Sequence, residues 1–456
     1  MKTYTAEQVA AITNGILLCG DPQTEITNIQ YDSREVTDGT LFVPIKGAKT
    51  DAHKFIEDCF RKGAAAAFTE YDAPEGADKP YIKVESTIGA LHLLAAFHRR
   101  QMNVKLIGVT GSVGKTSTKE MIAAALSCGL DVMKTQGNRN SQIGMPMTMF
   151  DIASHNEAAV IEMGMSEFGE MDRLSDIARP DMAVMTNIGK AHIENLKTQE
   201  NILAEKFKIT KYFTKDSILF LNGDDKLLRQ LHNKQFFKTV TFGLSEDNDY
   251  YADEIRTFGF STSFMCVRHR KTTQLNIPAL GVHIITNALA AFAVGEAMGL
   301  DEQTIARGLA GYKNAPMRQQ IHELKDFLLI DDSYNASPEA TKASLDVLKK
   351  ASSGRTIAVL ADMLELGDEA PAEHYNVGKY LAEIGIDTLI TIGNISENTA
   401  NGARENGCER VTSFENNGEA YQYLKTIIEK DCTILVKGSR SMHTDVIVSN
   451  ILADYK

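Results

Sequence analysis

The sequence predicts an α/β protein of three domains, and three observations carry that expectation. The chain has 456 residues, about three times the ~150 residues of an ordinary domain. Short apolar runs of strand length alternate with stretches of helix length along the chain, the rhythm of βαβ units around mostly parallel sheets. Hydrophobic residues make up 43% and charged residues 24%, the balance of a globular chain and not of a disordered one. At this length the core needs no disulfide or metal staple.

In residues 1–101, a Thr5…Gln8 capping box starts an amphipathic helix. Residues 1–15 have one Lys and no unbroken apolar stretch, so they do not read as a secretory leader. Residues 41–45 read as a strand ending at Lys46-Gly47, 53–62 as a helix stopped by Gly63, 64–68 as a buried strand and 87–100 as a helix leading out. Residues 102–316 begin with a buried strand at 105–110, a glycine-rich turn and a helix at 116–127 that stops at Gly129. Strands follow at 158–162, 182–187 and 217–222. Pro316 lies near the next boundary. In residues 317–456, strands are expected at 327–331, 356–361, 388–392 and 433–436. Ser337-Pro338-Glu339 starts a helix with an N-cap, a proline in the first position and an acid in the first turn.

Charge and cysteine usage exclude several classes. Lys and Arg number 48 against 60 Asp and Glu, a net charge of −12. No general nucleic-acid or anionic-membrane binder is expected from that balance. No apolar run approaches the ~18 residues of a spanning helix, so no stable membrane insertion is expected. The six cysteines are scattered without a CxxC pair. They read as reduced thiols of a cytoplasmic protein, with neither a disulfide framework nor a zinc site.

The chemistry concentrates after the strand at 105–110. Thr110-Gly111-Ser112-Val113-Gly114-Lys115-Thr116 lies between a buried strand and a helix, the setting of a phosphate-binding loop. Glycines let backbone N–H groups turn onto phosphate oxygens, and the helix N-terminus adds its positive end. Lys115 would reach the β- and γ-phosphates and the Thr116 hydroxyl a Mg²⁺ ion. The general pattern wants glycine at 109, where this chain has Val109, with glycines at 108 and 111 instead.

Three residues are candidate partners of that loop. Glu162 ends an apolar strand, where a Mg²⁺-binding acid stands in many such proteins and where a carboxylate is equally often just solvated. His192 follows the next buried strand, in the loops where α/β sites form, although a lone histidine is commonly structural. Lys206 projects near the centre of an apolar helix face formed by Ile202, Leu203, Phe207, Ile209 and Phe213, while Lys208 and Lys211 project away. An unpaired ammonium there is costly. Snorkelling, an ion pair, or a functional or modified lysine would each resolve it.

These residues resemble the Mur ligases, ATP-dependent amide-bond ligases of peptidoglycan synthesis, over essentially the whole chain. The anchors are Asp32-Ser33-Arg34, the 39–47 segment, Asp51-Ala-His53, the phosphate loop with Lys119-Glu120-Met121, and the 137–146 segment containing Asn138 and Asn140. They continue through Glu162-Met-Gly-Met, the 187–192 segment, Ala204-Glu-Lys206, the 331–338 segment, the 361–367 segment and Val436-Lys-Gly-Ser-Arg440. Within the family, Asp-Ser-Tyr-Asn-Ala at 332–336 and Asp-Met-Leu-Glu-Leu-Gly at 362–367 favour the branch that adds D-alanyl-D-alanine to UDP-N-acetylmuramoyl-tripeptide. The Asp-Asn-Pro-Arg signature of the sibling that adds the third peptide residue is absent. That sibling, a folylpolyglutamate-type ligase and a P-loop switch remain the alternatives. Three departures stand out: Ile284 in place of an asparagine, Lys197 in place of a glycine, and Ser441 and His443 in place of glycine and arginine.

The resemblance implies an N-terminal UDP-sugar-binding domain, a central P-loop ATPase-like domain with a parallel sheet and a C-terminal Rossmann-like domain. It implies ATP as nucleotide and an acyl-phosphate intermediate. Thr116 and Glu162 would hold one Mg²⁺, His192 would contribute to a second metal position, and Lys206 matches a lysine that is carbamylated in family members and counted with the metal site. Residues 110–116, Asn287, Arg318 and Asp332 would bind ATP. Ser33, Arg34, Lys46, Asn138 and Asn140 would meet the UDP-linked substrate. Lys437, Ser439 and Arg440 would meet either the acceptor carboxylate or the nucleotide. A cytoplasmic monomer is expected, with closure of the domains assembling the site.

Overall fold

A computed structural model describes residues 1–47 and 50–455. Three main sheets divide the chain. The first has five strands, in the order Ile16–Cys19, Tyr81–Lys83, Ala64–Thr69, Thr40–Phe42, Asn28–Gln30, parallel except for the first pair. The capping box is present: Thr5 Oγ1 accepts from Gln8 N and Gln8 Oε1 accepts from Thr5 N. The helix expected at 53–62 begins as a 3₁₀ turn, Ala52–Phe55, before Ile56–Arg61 becomes α-helical. The strand expected at 41–45 is shorter, Thr40–Phe42. Pro44 has no N–H to continue a ladder.

The second sheet has nine strands. Its order is Lys271–Ile277, Ser261–Arg268, Tyr250–Phe258, Lys238–Gly243, Ile218–Asn222, Met182–Met185, Lys105–Thr110, Ala158–Glu162, Val132–Lys134. Pairing is parallel from Val132–Lys134 as far as Tyr250–Phe258, and antiparallel for the last two pairs. That antiparallel edge departs from the βαβ rhythm read from the sequence. Ser261–Arg268 alternates partly exposed with buried positions, the pattern of a sheet covered on one face. Lys105–Thr110 lies between Ala158–Glu162 on one side and Met182–Met185 on the other. The chain therefore leaves this strand in both directions, and the crevice at its C-terminal end is where α/β sheets take ligands.

The third sheet has six strands: Gln320–Glu323, Leu328–Asp331, Thr433–Lys437, Thr356–Ala361, Thr388–Ile392, Arg410–Phe414, parallel after the first pair. Separate apolar clusters cover its two faces. Helix Pro338–Ala351 starts where expected, with the Ser337 hydroxyl accepting from Ala340 N.

The first two sheets share one apolar cluster, running from Tyr4 and Leu41 through Leu94 to Ile161 and Leu221. Arg99, at the end of helix Thr87–Arg100, locks the joint by donating to Ala178 O, Met102 O and Val104 O at 3.0–3.4 Å. By contrast, Leu280 is the buried middle-domain residue in the core of the third sheet, with Phe260 packed against it. No helix of the described residues is long and apolar enough to cross a membrane. All six cysteines are free; four are buried, Cys19 is partly exposed and Cys128 is exposed.

Candidate active site

Strand Lys105–Thr110 runs into a four-residue turn, and helix Lys115–Leu126 follows at once. The turn explains the unusual glycine spacing. Val109 is a fully buried strand residue, so the loop starts after Thr110. Gly111 has φ +150° and a Cβ there would lie 1.9 Å from Thr186 Oγ1; Gly114 is left-handed at φ +85°. Gly108 serves packing, since a Cβ would press on Ile209 at 2.9 Å. The loop is supported from the next strand. Val113 N donates to Asn187 Oδ1 at 2.8 Å, and Ser112 N to Asn187 O at 3.0 Å.

The loop opens on a cleft of about 880 Å³ between the middle and C-terminal domains. Its middle-domain wall includes Ser112, Val113, Gly114, Lys115, Thr116, Asn140, Glu162, His192 and Asn287. Facing them are Arg318, Asp332, Lys437, Ser439 and Arg440. Thr110 and Gly111 lead into the loop without lining the cleft. Lys206 does not line it either: it has no exposure, and its ammonium donates to Gly111 O at 3.0 Å. Ser33, Arg34, Lys46 and Asn138 do not line this cleft. Arg34 is held by Asp32 and Lys46 by Glu70, at 2.5 and 2.6 Å, the Ser33 carbonyl accepts from Lys62, and Asn138 is exposed.

The electrostatics are uneven. Lys115 donates to Gly111 O and Ser112 O at 2.8 and 3.2 Å. The dense surroundings lower its pKa, with Glu162 opposing and Arg318 adding to the shift. Burial holds the Lys206 amine well below the usual lysine range, and the Lys115 charge deepens that. Among the described residues, neither lysine has a carboxylate within ion-pair distance, so Lys206 neither snorkels nor forms an ion pair. Its helix ends at Phe207 and continues as a 3₁₀ turn. Lys208 and Lys211 turn outward to Asp172, Glu205 and Asp176.

Glu162 is almost fully buried. Its Oε1 accepts from Asn140 Nδ2 at 2.6 Å, while Oε2 has no hydrogen-bond partner and lies 3.9 Å from the Lys119 ammonium. A buried carboxylate oxygen left open at the cleft, which Thr116 in the first turn of helix Lys115–Leu126 also lines, fits a hard cation that takes one carboxylate and keeps phosphate and water ligands. No group of three His, Cys, Asp or Glu side chains poised for a metal occurs among the described residues. His192 stands instead 2.7 Å from Glu365 of the C-terminal domain. Asn287 Oδ1 accepts from Thr118 at 2.9 Å, and its buried Nδ2 is unpartnered.

On the opposite wall, Arg318 stacks over Tyr334, 4.0 Å from the ring centroid, and reaches Thr116 Oγ1 at 3.5 Å. It is flanked by left-handed Met317 and Gln319, with φ +58° and +50°, strain that persists where surrounding contacts fix the backbone. Asp332 is occupied: Lys437 and Ser344 donate to Oδ2 and Gln319 N to Oδ1. Ser439 Oγ accepts from Leu364 N, and Arg440 pairs with Asp445. Of the departures, Ile284 is 1% exposed and joins the middle-domain core. Lys197 has φ +73°, a conformation that favours the usual glycine, so nothing in the backbone explains the lysine there. His443, in place of an arginine, is left-handed at φ +52°.

Sequence reasoning did not reach Lys119, Glu365 or Tyr334 as site residues, nor the role of Lys190. Lys119, although quoted in a motif, is completely buried and donates to Thr135 O, 3.0 Å from Glu120. Only its position one turn after Lys115, facing the same strand, could have signalled it.

The chain matches three family models: the Mur ligase family catalytic domain over residues 25–99, the Mur ligase middle domain over 109–295, and the Mur ligase glutamate ligase domain over 317–440. It is 35% identical to the UDP-N-acetylmuramoyl-tripeptide--D-alanyl-D-alanine ligase of Bacillus subtilis, over 99% of each chain. Among solved structures it is similar to MurF from Acinetobacter baumannii, with a TM-score of 0.91, 30% identity and 99% of each chain covered. It is also similar to the MurF ligase from Thermotoga maritima in complex with ADP, with a TM-score of 0.83, 29% identity, and 92% of this chain and 96% of that chain covered.

Proposed function

The chain belongs to the Mur ligase family, and from that premise we propose that its cleft joins D-alanyl-D-alanine to UDP-N-acetylmuramoyl-tripeptide, consuming ATP and releasing ADP and phosphate. The observation that carries this reading is a phosphate loop with unneutralised lysines, facing Arg318 across a cleft, in a chain alike over its full length to ligases of that name. Residues 1–101 hold the UDP-sugar end, 102–316 bind ATP, and 317–456 supply the opposite wall and the acceptor. Both walls come from one chain, so a monomer suffices. The use of ATP and a UDP-linked precursor supports a cytoplasmic reaction.

The chemical difficulty is electrostatic. A peptide carboxylate must approach the γ-phosphate, and both are anions. Its oxygen forms a bond to phosphorus as the bond to the ADP oxygen breaks. The acceptor amine then bonds to the acyl carbon, loses a proton, and phosphate leaves. Lys115 exchanges its two loop carbonyls for phosphate oxygens, and Arg318 approaches from the other side, so developing charge meets fixed cations. Asn287 offers its free amide N–H to the nucleotide. Asp332 orders the C-terminal wall through Lys437 and Gln319 N. Thr116 and Glu162 would hold Mg²⁺, with His192 at a second position once released from Glu365; the ion supplies charge neutralisation at the phosphates.

The depressed basicity of Lys206 favours the free amine, the form that adds to carbon dioxide. An N–C bond forms, one proton is released and a carbamate anion results. Beside Lys115 this turns a like-charge contact into an attractive one. Asn138 and Asn140 approach the peptide end, while Ser33, Arg34 and Lys46 meet the diphosphate and uracil end. The test is ADP release with ATP, Mg²⁺, UDP-N-acetylmuramoyl-tripeptide and a panel of acceptors. Stimulation by D-alanyl-D-alanine is expected. Stimulation by a single diamino acid or by glutamate on a folate would assign the chain to another branch, and nucleotide binding without turnover would make it a switch.

A further inference from the structure

Four polar contacts tie the loop after strand Met182–Met185 to the C-terminal domain; His192 makes one, to Glu365, and Lys190 makes the other three. The Lys190 ammonium donates to Glu369 Oε2 at 2.6 Å and to Glu373 Oε1 at 2.9 Å. Its backbone N–H donates to Glu339 Oε1 at 3.4 Å. Glu339 lies in the first turn of helix Pro338–Ala351, Glu369 in the 3₁₀ turn Gly367–Glu369 and Glu373 in the first turn of helix Ala370–Glu383. Every ion-pair partner recorded for Lys190 thus comes from the facing domain. Gly189 permits the approach, because a Cβ there would sit 3.1 Å from the Glu339 carboxylate.

The same loop supports the phosphate loop. Asn187 holds Val113 and Ser112, Gly189 O accepts from Ser112 Oγ at 3.4 Å, and Gln199 Nε2 donates to Ile188 O at 2.7 Å. Apolar packing between the middle and C-terminal domains is small beside the core shared by the first two domains. A charged contact therefore carries weight in holding the cleft closed.

We propose that Lys190 is a positioning residue whose ammonium, clamped by Glu369 and Glu373, docks the C-terminal domain onto the loop that braces the phosphate loop and so sets how readily the cleft closes on nucleotide. It rests on the nucleotide reading of the cleft for its kinetic consequence only. Lys190 is partly exposed, so replacing it leaves no uncompensated charge in a core, and folding is retained.

The test compares wild type, K190E and the charge-swapped K190E/E369K/E373K by small-angle scattering without ligand, ADP calorimetry and ligation kinetics. K190E should have a larger radius of gyration and an apparent KM for ATP roughly tenfold higher, as for loss of a charge-assisted hydrogen-bond pair, while kcat moves much less. The swapped variant should recover both the radius and KM. An unchanged radius and KM in K190E, or a swapped variant no better than K190E, overturns the proposal. Failure of the wild type to bind ADP would remove the nucleotide reading, and the scattering comparison would still decide whether Lys190 docks the domains.

Discussion

The N-terminal domain and the phosphate-loop region hold their cations in opposite ways. Arg34 is 85% exposed and closed onto Asp32. Lys46 is bound to Glu70 and lies over Tyr71, 4.7 Å from the ring centroid. Lys115 and Lys206 have only backbone carbonyls as partners. Where, on the proposed function, negative charge is created and moved, Lys115 stands without a carboxylate partner in a desolvated setting, so its field meets substrate undiminished. In the N-terminal domain, where the proposed function has substrate merely anchored, each cation is already matched in water, and an anion would gain only the difference between itself and the resident carboxylate. A net charge of −12 hides both arrangements.

Lys437 tests what an acid partner is worth to a buried lysine. It is 3% exposed, close to the 0% of Lys206, yet bonded to Asp332 at 2.6 Å. Lys437→Met should leave Asp332 buried without its partner and destabilise the chain by about 3–5 kcal/mol in urea unfolding. A loss below about 1 kcal/mol would mean the pair is no stronger than an exposed one. Next in size, Lys115→Ala should lower kcat by about 10²–10³-fold, as for removal of one preorganised charge partner, with little loss of stability. Unchanged turnover would remove the loop from the chemistry.

Lys206 gives a difference in sign. Its folded-state pKa is lowered from 10.5 by burial, so between that lowered value and 10.5 the unfolded chain binds more protons. Stability then rises with pH across this window and is least below it. Lys206→Met should be more stable than wild type at neutral pH in carbonate-free buffer, by an amount that shrinks as pH approaches 10.5. Thermal unfolding of the two proteins at several pH values reads this directly. The alanine variant should lose ligation and regain part of it with a short carboxylic acid. Full activity of that variant would make the buried lysine a packing element.

The sequence was informative wherever one local pattern sufficed. The strands Lys105–Thr110, Ala158–Glu162, Thr356–Ala361 and Thr388–Ile392 match their expected limits, because buried parallel strands read as unbroken apolar runs. The antiparallel edge at Tyr250–Ile277 was not legible that way, since its outer positions are polar. Lys206 was visible because a charge on an apolar helix face violates the helical period. Glu365 and Lys190 were not, because their partners lie 173 and 149 or more residues away, across a domain boundary that no local period encodes. Lys197 illustrates a middle case: its replacement of glycine was legible, but only its φ of +73° shows why glycine is usual there.

The smallest effects belong to the N-terminal cations, and here the comparison predicts direction more sharply than size. If Asp32 competes with substrate phosphate for Arg34, removing either member of the pair should move binding in opposite directions. Arg34→Ala should raise KM for the UDP-linked substrate by about fivefold or less, within the ~1 kcal/mol of an exposed ion pair. Asp32→Asn should lower it by a similar or smaller factor. Both shifts should fade between low salt and ~0.5 M salt, because exposed charges are screened within a few ångströms there, whereas the Lys115→Ala loss in kcat should persist. A rise in KM for both variants would show that Asp32 orients Arg34 toward substrate instead of competing for it, and the N-terminal pair would then be built on the same preorganised plan as the phosphate loop.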